Sequence, residues 1–449
     1  MNGTERQENP LFRRFERWLD WAPGEFIPTA TAVLYFFFVI TSYYVLKPIR
    51  ESLALELGAS RIPALNIFSM FSLLAANAGY SWIVGRFHRD QFIPWITRGF
   101  IVSLIGFWVI FGDFVQKPEA LAQPISSVRI LAIGFYFIWV NLFGLFSVSM
   151  FWSFVNDVFT REQGQRLYGT IGFGGLVGGL CGGLITAALV NILGTAKMFL
   201  VAAILLEPSV WCMRLISGMS PPKTDESSAT IEPASETHEN PEAGAWDGLK
   251  RTIGNPFLGL MALEMFLYTF GSTLFSYQLN TIMETSLPSR DGRTMYWANI
   301  YNSINALSIL SQALVTGRVM RSSRPWMGLM LMPLMQMVGS IGLLFNPVLG
   351  LAAGIGIVRY ALNYSTGRAV RELFFTPLSR EDKYQAKGFI DTFVFRMGDG
   401  IASSLLLSWL VFFPPRLWID GAILGTMTCS LVAVYFLGNR FQRLTAKVA

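Results

Sequence analysis

The chain has 449 residues, of which 52% are hydrophobic, 14% aromatic and only 14% charged. Soluble domains carry about a quarter charged residues, so too few charges are present to clothe this much apolar surface, and the mean hydropathy of +0.44 agrees. The solvent for most of the chain is therefore lipid. The formal net charge of +6 is read as the Lys/Arg excess of cytoplasmic loops, and nucleic acid is not expected as a partner.

Apolar runs of about 20 residues, the length that crosses a bilayer, fall at 26–48, 63–84, 93–115, 129–157, 168–192 and 194–216. Six more fall at 256–282, 294–316, 326–345, 347–376, 389–413 and 416–437. These are spans 1 to 12. The organisation expected is a cytoplasmic segment 1–25, a six-helix bundle 26–216, a linker 217–255, a second bundle 256–437 and a tail 438–449. The linker holds SPPKTDESSATIEPASETHENPEAG, with seven acidic and three basic residues, and reads as flexible. Basic residues such as Arg13, Arg14, Arg17, Arg86, Arg318, Arg321, Arg324 and Arg440 concentrate in segments that are cytoplasmic if both termini are, which sets the expected orientation. The first 25 residues lack the apolar region of a cleavable signal.

The halves echo each other. TREQGQRLYG at 160–169 and SREDKYQAKG at 379–388 stand 219 residues apart, in equivalent loops after spans 4 and 10. Duplication with six spans per repeat is the plan of major facilitator transporters. The fold class expected is all-α: a polytopic membrane protein of twelve transmembrane helices in a 6+6 parallel repeat.

Span 5 reads GTIGFGGLVGGLCGG, with eight Gly between 169 and 183. A phosphate loop would need a GK[ST] ending and a flanking strand, and neither is present. Small residues at four-residue spacing suit close helix packing instead. Cys181, Cys212 and Cys429 lie in apolar runs and the chain has two His, so no disulfide scaffold, metal site or cofactor is expected. No nucleophile and base stand out, so an enzyme is not expected.

Ionisable groups within spans face a cavity or a partner, because facing lipid is costly. Span 1 ends in YYVLKPIRESL, where Lys47, Arg50 and Glu51 share a helical face. Span 10 contains YSTGRAVRELFF, where Arg368, Arg371 and Glu372 repeat the arrangement. Two readings stay open: cationic clusters for a polyanion, since Arg forks suit phosphate, or charges neutralised locally by Glu51 and Glu372. Arg359 lies 13 residues into span 10, about 20 Å along the axis, with no partner nearby in sequence. Span 11 brings Asp391, Arg396 and Asp399, the last two spaced as an ion pair. Glu207 and Glu264 are single carboxylates in spans 6 and 7, structural or proton-coupling. Span 4 carries Trp139, Asn141, Asn156 and Asp157; Trp139 suits core better than stacking on a base.

Across YYVLKPIRESL, FWSFVNDVFTREQGQRLYG and GRAVRELFFTPLSREDKYQAKGFIDTFVFRMGDG, the chain resembles the ATP/ADP translocases, nucleotide triphosphate/diphosphate antiporters of intracellular bacteria and plastids, and more closely their bacterial major facilitator-like relatives. The resemblance covers all twelve spans and implies nucleotide exchange by alternating access. It places Lys47, Arg50 and Glu51 on the family's span 1 pattern, Arg371 and Glu372 on that of span 10, and Lys383, Lys387 and Asp391 on the basic stretch that follows. It departs where the family has a Glu in span 4, at or beside Asn141, and a Glu and Lys in span 7, where Ser276 and Asn280 stand.

The candidate substrate-binding residues are thus Lys47, Arg50, Asn141, Arg359, Arg368 and Arg371. Glu51, Asp157, Glu372, Asp391, Arg396 and Asp399 are candidates for gating or charge balance. The expected activity is secondary transport of an anionic nucleotide or related phosphorylated metabolite. The alternative is a major facilitator-type transporter or efflux protein for a non-nucleotide small molecule. The expected setting is a bacterial inner membrane, with the bilayer and a small anionic substrate as partners and a monomer as the transport unit.

Overall fold

The computed structural model describes residues 24–84, 89–115, 126–219, 245–379, 386–409 and 415–448. They are helical throughout, with no strand among them. Spans 1 to 7 form the helices Phe26–Glu56, Ile62–Val84, Arg89–Val115, Ser127–Val158, Arg161–Leu193, Met198–Met219 and Pro256–Ser286. Span 9 is Met327–Phe345 and span 12 is Pro415–Val448, the latter running on through most of the expected tail. Nine described helices are long and apolar enough to cross a membrane. Many large apolar side chains lie bare on them, Trp95, Ile192 and Phe345 among the most exposed. Water would penalise that display and lipid does not; the chain is a multi-pass membrane protein.

Spans 8, 10 and 11 are built from pieces rather than single α-helices. Span 8 is Arg290–Ser311, a π-helical turn Gln312–Thr316 and Gly317–Met320. Span 10 is Leu349–Leu362, a π turn Asn363–Gly367 and Arg368–Phe374; span 11 opens on the π turn Phe389–Val394 and continues as Phe395–Trp409. At two of these turns hydroxyls compete for the backbone's partners. Ser365 donates to the Ala361 carbonyl at 2.7 Å and its oxygen meets the Ser311 hydroxyl at 2.8 Å, while Thr316 and Thr366 pair at 3.0 Å. The stretch expected as linker is helical at both described ends, finishing Met219 and forming Ala245–Gly254; 220–244 lie outside the described residues.

The described residues divide into two compact units, and the division does not follow the two halves of the sequence. One unit takes Met1–Lys47, Ala78–Glu119 and Leu142–Ile231, the other Pro48–Asn77, Ala120–Asn141 and Glu232–Ala449.

In the first unit the span 5 glycines do what their spacing suggests. A methyl group on Gly174, Gly178 or Gly182 would stand 2.4, 2.6 or 2.4 Å from the carbonyl oxygens of Val33, Phe37 and Thr41. Two helices with four-residue ridges therefore meet backbone to backbone. Phe36 stacks on Phe151 with ring centroids 4.2 Å apart, and Ser42 donates to the Ala202 carbonyl at 2.9 Å. Thr160 caps span 5 in a reciprocal box with Gln163. The repeated loop motif is thus a helix start in its first copy; most of its second copy, 380–385, lies outside the described residues. Arg166 is held by Glu25 at 2.9 Å.

In the second unit Phe257, Leu329, Val370, Phe374 and Val434 form a core among spans 7, 9, 10 and 12. Close packing of this kind fixes span 10, which carries three of the candidate cations.

Candidate functional site

Arg359 is the deepest of the candidates and has no exposed surface. Its Nη1 donates to Ser272 Oγ at 2.6 Å, and its guanidinium lies over the Tyr360 and Phe275 rings at 4.1 and 5.4 Å. Nε and Nη2 are buried without a hydrogen-bond partner. The ion pair expected between Arg396 and Asp399 is not formed. Asp399 instead accepts a 2.6 Å bond from Thr273, and Arg396 sits over the Phe395 ring at 5.8 Å. Span 7 presents Ser272 and Thr273 in succession, so neighbouring hydroxyls hold a cation of span 10 and a carboxylate of span 11. Ser276, one turn on, meets the Tyr360 hydroxyl at 3.2 Å.

The span 10 cluster separates. Arg371 turns inward to Glu264 of span 7 at 3.3 Å, donates to Asn363 at 2.8 Å and lies 4.7 Å from the Tyr268 ring. Glu264, expected as a lone carboxylate, is its counter-ion. Arg368 is exposed, and Glu372 bonds Lys387 of span 11 at 2.7 Å rather than Arg368 four residues back. The reason is reach: Glu372 and Lys387 meet at the surface, where flexible chains find each other at little desolvation cost. A small recess of about 10 Å³ opens between Glu264, Arg371 and Asp391, walled by Met261, Met265 and Phe374.

The span 1 cluster also separates. Lys47 lies over Tyr44 at 5.3 Å and Tyr43 at 6.0 Å, in the first unit. Arg50, in the second, is held by Glu51 and by Asn141 of span 4. Asn141 in turn donates to Ser69 at 2.8 Å, and Glu51 accepts from Tyr301 of span 8 at 3.0 Å. Trp139 is buried near Tyr136, in the core as expected. Asp157 is exposed in the first unit. Glu207, read as single, is paired there with Arg98 and accepts from Trp211, both at 3.1 Å.

Sequence reasoning missed the polar partners on span 7, Ser272 and Thr273, and the carboxylate Glu56. Glu56 takes Arg129 at 2.8 Å on one oxygen and Arg290 on the other. Ser and Thr in helices usually bond their own backbone, so the span 7 pair left no signal. Glu56 could have been found as a second carboxylate on the helix of span 1, one turn beyond Glu51.

No family profile matches the chain. Curated proteins do. ADP,ATP carrier protein 2 of Chlamydia pneumoniae is 24% identical over 87% of this chain and 83% of its own length. ADP,ATP carrier protein 1 of Chlamydia trachomatis serovar D is 21% identical over 90% of this chain and 84% of its own. The chain is similar over most of its length to these two carrier proteins. Among solved structures, an inward-facing bacterial homologue of the iron transporter ferroportin covers 93% of this chain and 98% of its own, with a TM-score of 0.62 and 13% identity. A nucleoside transporter covers 91% and 98%, with a TM-score of 0.58 and 10% identity. At such identities the likeness speaks to fold alone: the chain shares the helical fold of these solved transporters.

Proposed function

We propose that the chain is a secondary transporter that exchanges an anionic nucleotide, or a related phosphorylated metabolite, across a bacterial inner membrane by alternating access, with both termini cytoplasmic. The observation that carries this reading is Arg359. A guanidinium with no exposed surface, one hydroxyl bond and two unpartnered nitrogens is expensive in a membrane protein unless a negative charge visits it. Its planar fork matches phosphate oxygens. Tyr360 stacks on Tyr364 beside it, 6.1 Å between centroids, an aromatic surface of the kind on which bases lie.

Arg371 and Arg50 supply positive charge only when their carboxylates, Glu264 and Glu51, let go. They are assigned to binding or to gating together with those partners, as are Lys47, Arg368, Asn141, Asp157, Glu372, Asp391, Arg396 and Asp399. The charge count also supports a second reading, a smaller anion or a non-nucleotide solute. By the resemblance, neutral residues at or beside Asn141 and at Ser276 and Asn280 stand where the translocases carry charge, and two of the four span arginines considered for binding are balanced by protein carboxylates.

Uptake of labelled ATP and ADP into proteoliposomes loaded with unlabelled nucleotide tests the proposal. Exchange is expected with the parent chain and is expected to fall at least tenfold in Arg359→Gln. Folded protein that neither takes up nor binds a nucleotide, but gains thermal stability from another metabolite in a ligand panel, would establish the second reading instead.

A further inference from the structure

The second unit joins segments from both halves of the sequence, and the bonds that join them converge on the end of span 1. Glu56 is the last residue of that helix. Its Oε2 accepts from Arg129 Nη2 at 2.8 Å and its Oε1 from Arg290 Nε, with all three side chains between 12% and 16% exposed. Arg129 lies in the first turn of span 4 and Arg290 is the first residue of span 8. Three more bonds surround the pair. Ser52 Oγ donates to the Arg290 carbonyl at 2.9 Å, the Ala59 amide donates to Glu284 Oε2 at 2.9 Å, and the Tyr301 hydroxyl donates to Glu51 at 3.0 Å. Each of the three crosses from a segment before the linker to one after it.

The chemistry of the joint is polar and compact. A helix-end carboxylate shared by two guanidiniums is held by directional, charge-assisted bonds. Such bonds form and break as a set once geometry shifts by an ångström or two, unlike a broad apolar seam. A transporter that alternates must part its halves at one side in each cycle, and this is a place where a cluster of polar bonds crosses between them.

We propose that Glu56, bridging Arg129 and Arg290, is a breakable latch that keeps this end of the transporter shut. Arg290 is the half of the latch that lets go, carrying span 8 away from span 1, while Arg129 stays with Glu56. The inference rests on the transporter reading above but not on its cargo, and its test uses no substrate.

Ser52 has no exposed surface and lies inside the latch, so it reports opening. Ser52→Cys is introduced after Cys181, Cys212 and Cys429 are replaced by Ser, and the purified full chain in lipid nanodiscs is labelled with a charged methanethiosulfonate reagent. The parent is expected to label slowly. Glu56→Gln and Arg290→Gln are each expected to raise the rate about tenfold, the shift that one lost charged contact makes in a two-state population. Arg290→Lys, which keeps the charge without the fork, is expected to fall between. Unchanged rates in all three, in protein that melts cooperatively, would overturn the proposal and make the bridge a fixed staple. Loss of the cooperative melt in all three would overturn it as well, because a latch must open without unfolding the unit that carries it.

Discussion

Glu264 and Arg371 lie 3.3 Å apart with side chains 5% and 14% exposed. Replacing Glu264 by Leu removes the nearest counter-charge and leaves a guanidinium with Asn363, the Tyr268 ring and Asp391 across the recess. Breaking one side of a buried pair costs about 3–5 kcal/mol, whereas replacing both sides with apolar groups is often neutral. The double change Glu264→Leu with Arg371→Met would leave the methionine among Met261, Met265 and Phe374, which already wall the recess. It is therefore expected to recover most of the loss, to within about 1 kcal/mol of the parent. Thermal melts of the detergent-purified single and double variants, read as a double-mutant cycle, measure this. The order expected is parent close to the double variant, with Glu264→Leu far below both. Equal destabilisation by the single and double changes would refute the reasoning, since the penalty would then lie in lost packing rather than in an orphaned charge.

Much of the architecture was legible because the bilayer imposes so few solutions. Composition alone required spans, and each of the twelve apolar runs has most of its described residues in helix. The glycine spacing of span 5 foretold its close packing, borne out at Gly174, Gly178 and Gly182. Partner choice was not legible. Spacing of three or four says which side chains can share a face, not which will pair. Arg371 sits one position from Glu372 yet is neutralised by Glu264, over a hundred positions away, because burial rewards only a partner that is buried too. Glu372, at the surface, had no such reason to turn inward and met Lys387 instead. The π turns of spans 8 and 10 were invisible for the same reason: hydroxyls of the two spans meet there, far apart in the sequence.

Three further perturbations separate packing from chemistry. Gly178→Val sets side-chain carbon 2.6 Å from the Phe37 carbonyl, where backbone must move, and should cost about 1–3 kcal/mol in melts; no loss would mean that spans 1 and 5 slide freely. Thr160→Ala removes the reciprocal cap of span 5 and should cost about 1 kcal/mol, with Thr160→Ser restoring it. Arg359→Met tests why the chain tolerates its most awkward group. If the guanidinium were structural, its one bond to Ser272 and its two rings would have to outweigh two unpartnered buried nitrogens, and the apolar variant would melt lower. If it is held ready for an anion, methionine fills similar space and leaves only the half-buried Ser272 hydroxyl without its partner. The variant should then melt at or above the parent, by up to about 1–4 kcal/mol in stability, while exchange disappears. A site built for function and against stability is recognised by that opposition; a variant that loses both together would place Arg359 among the supports of the fold.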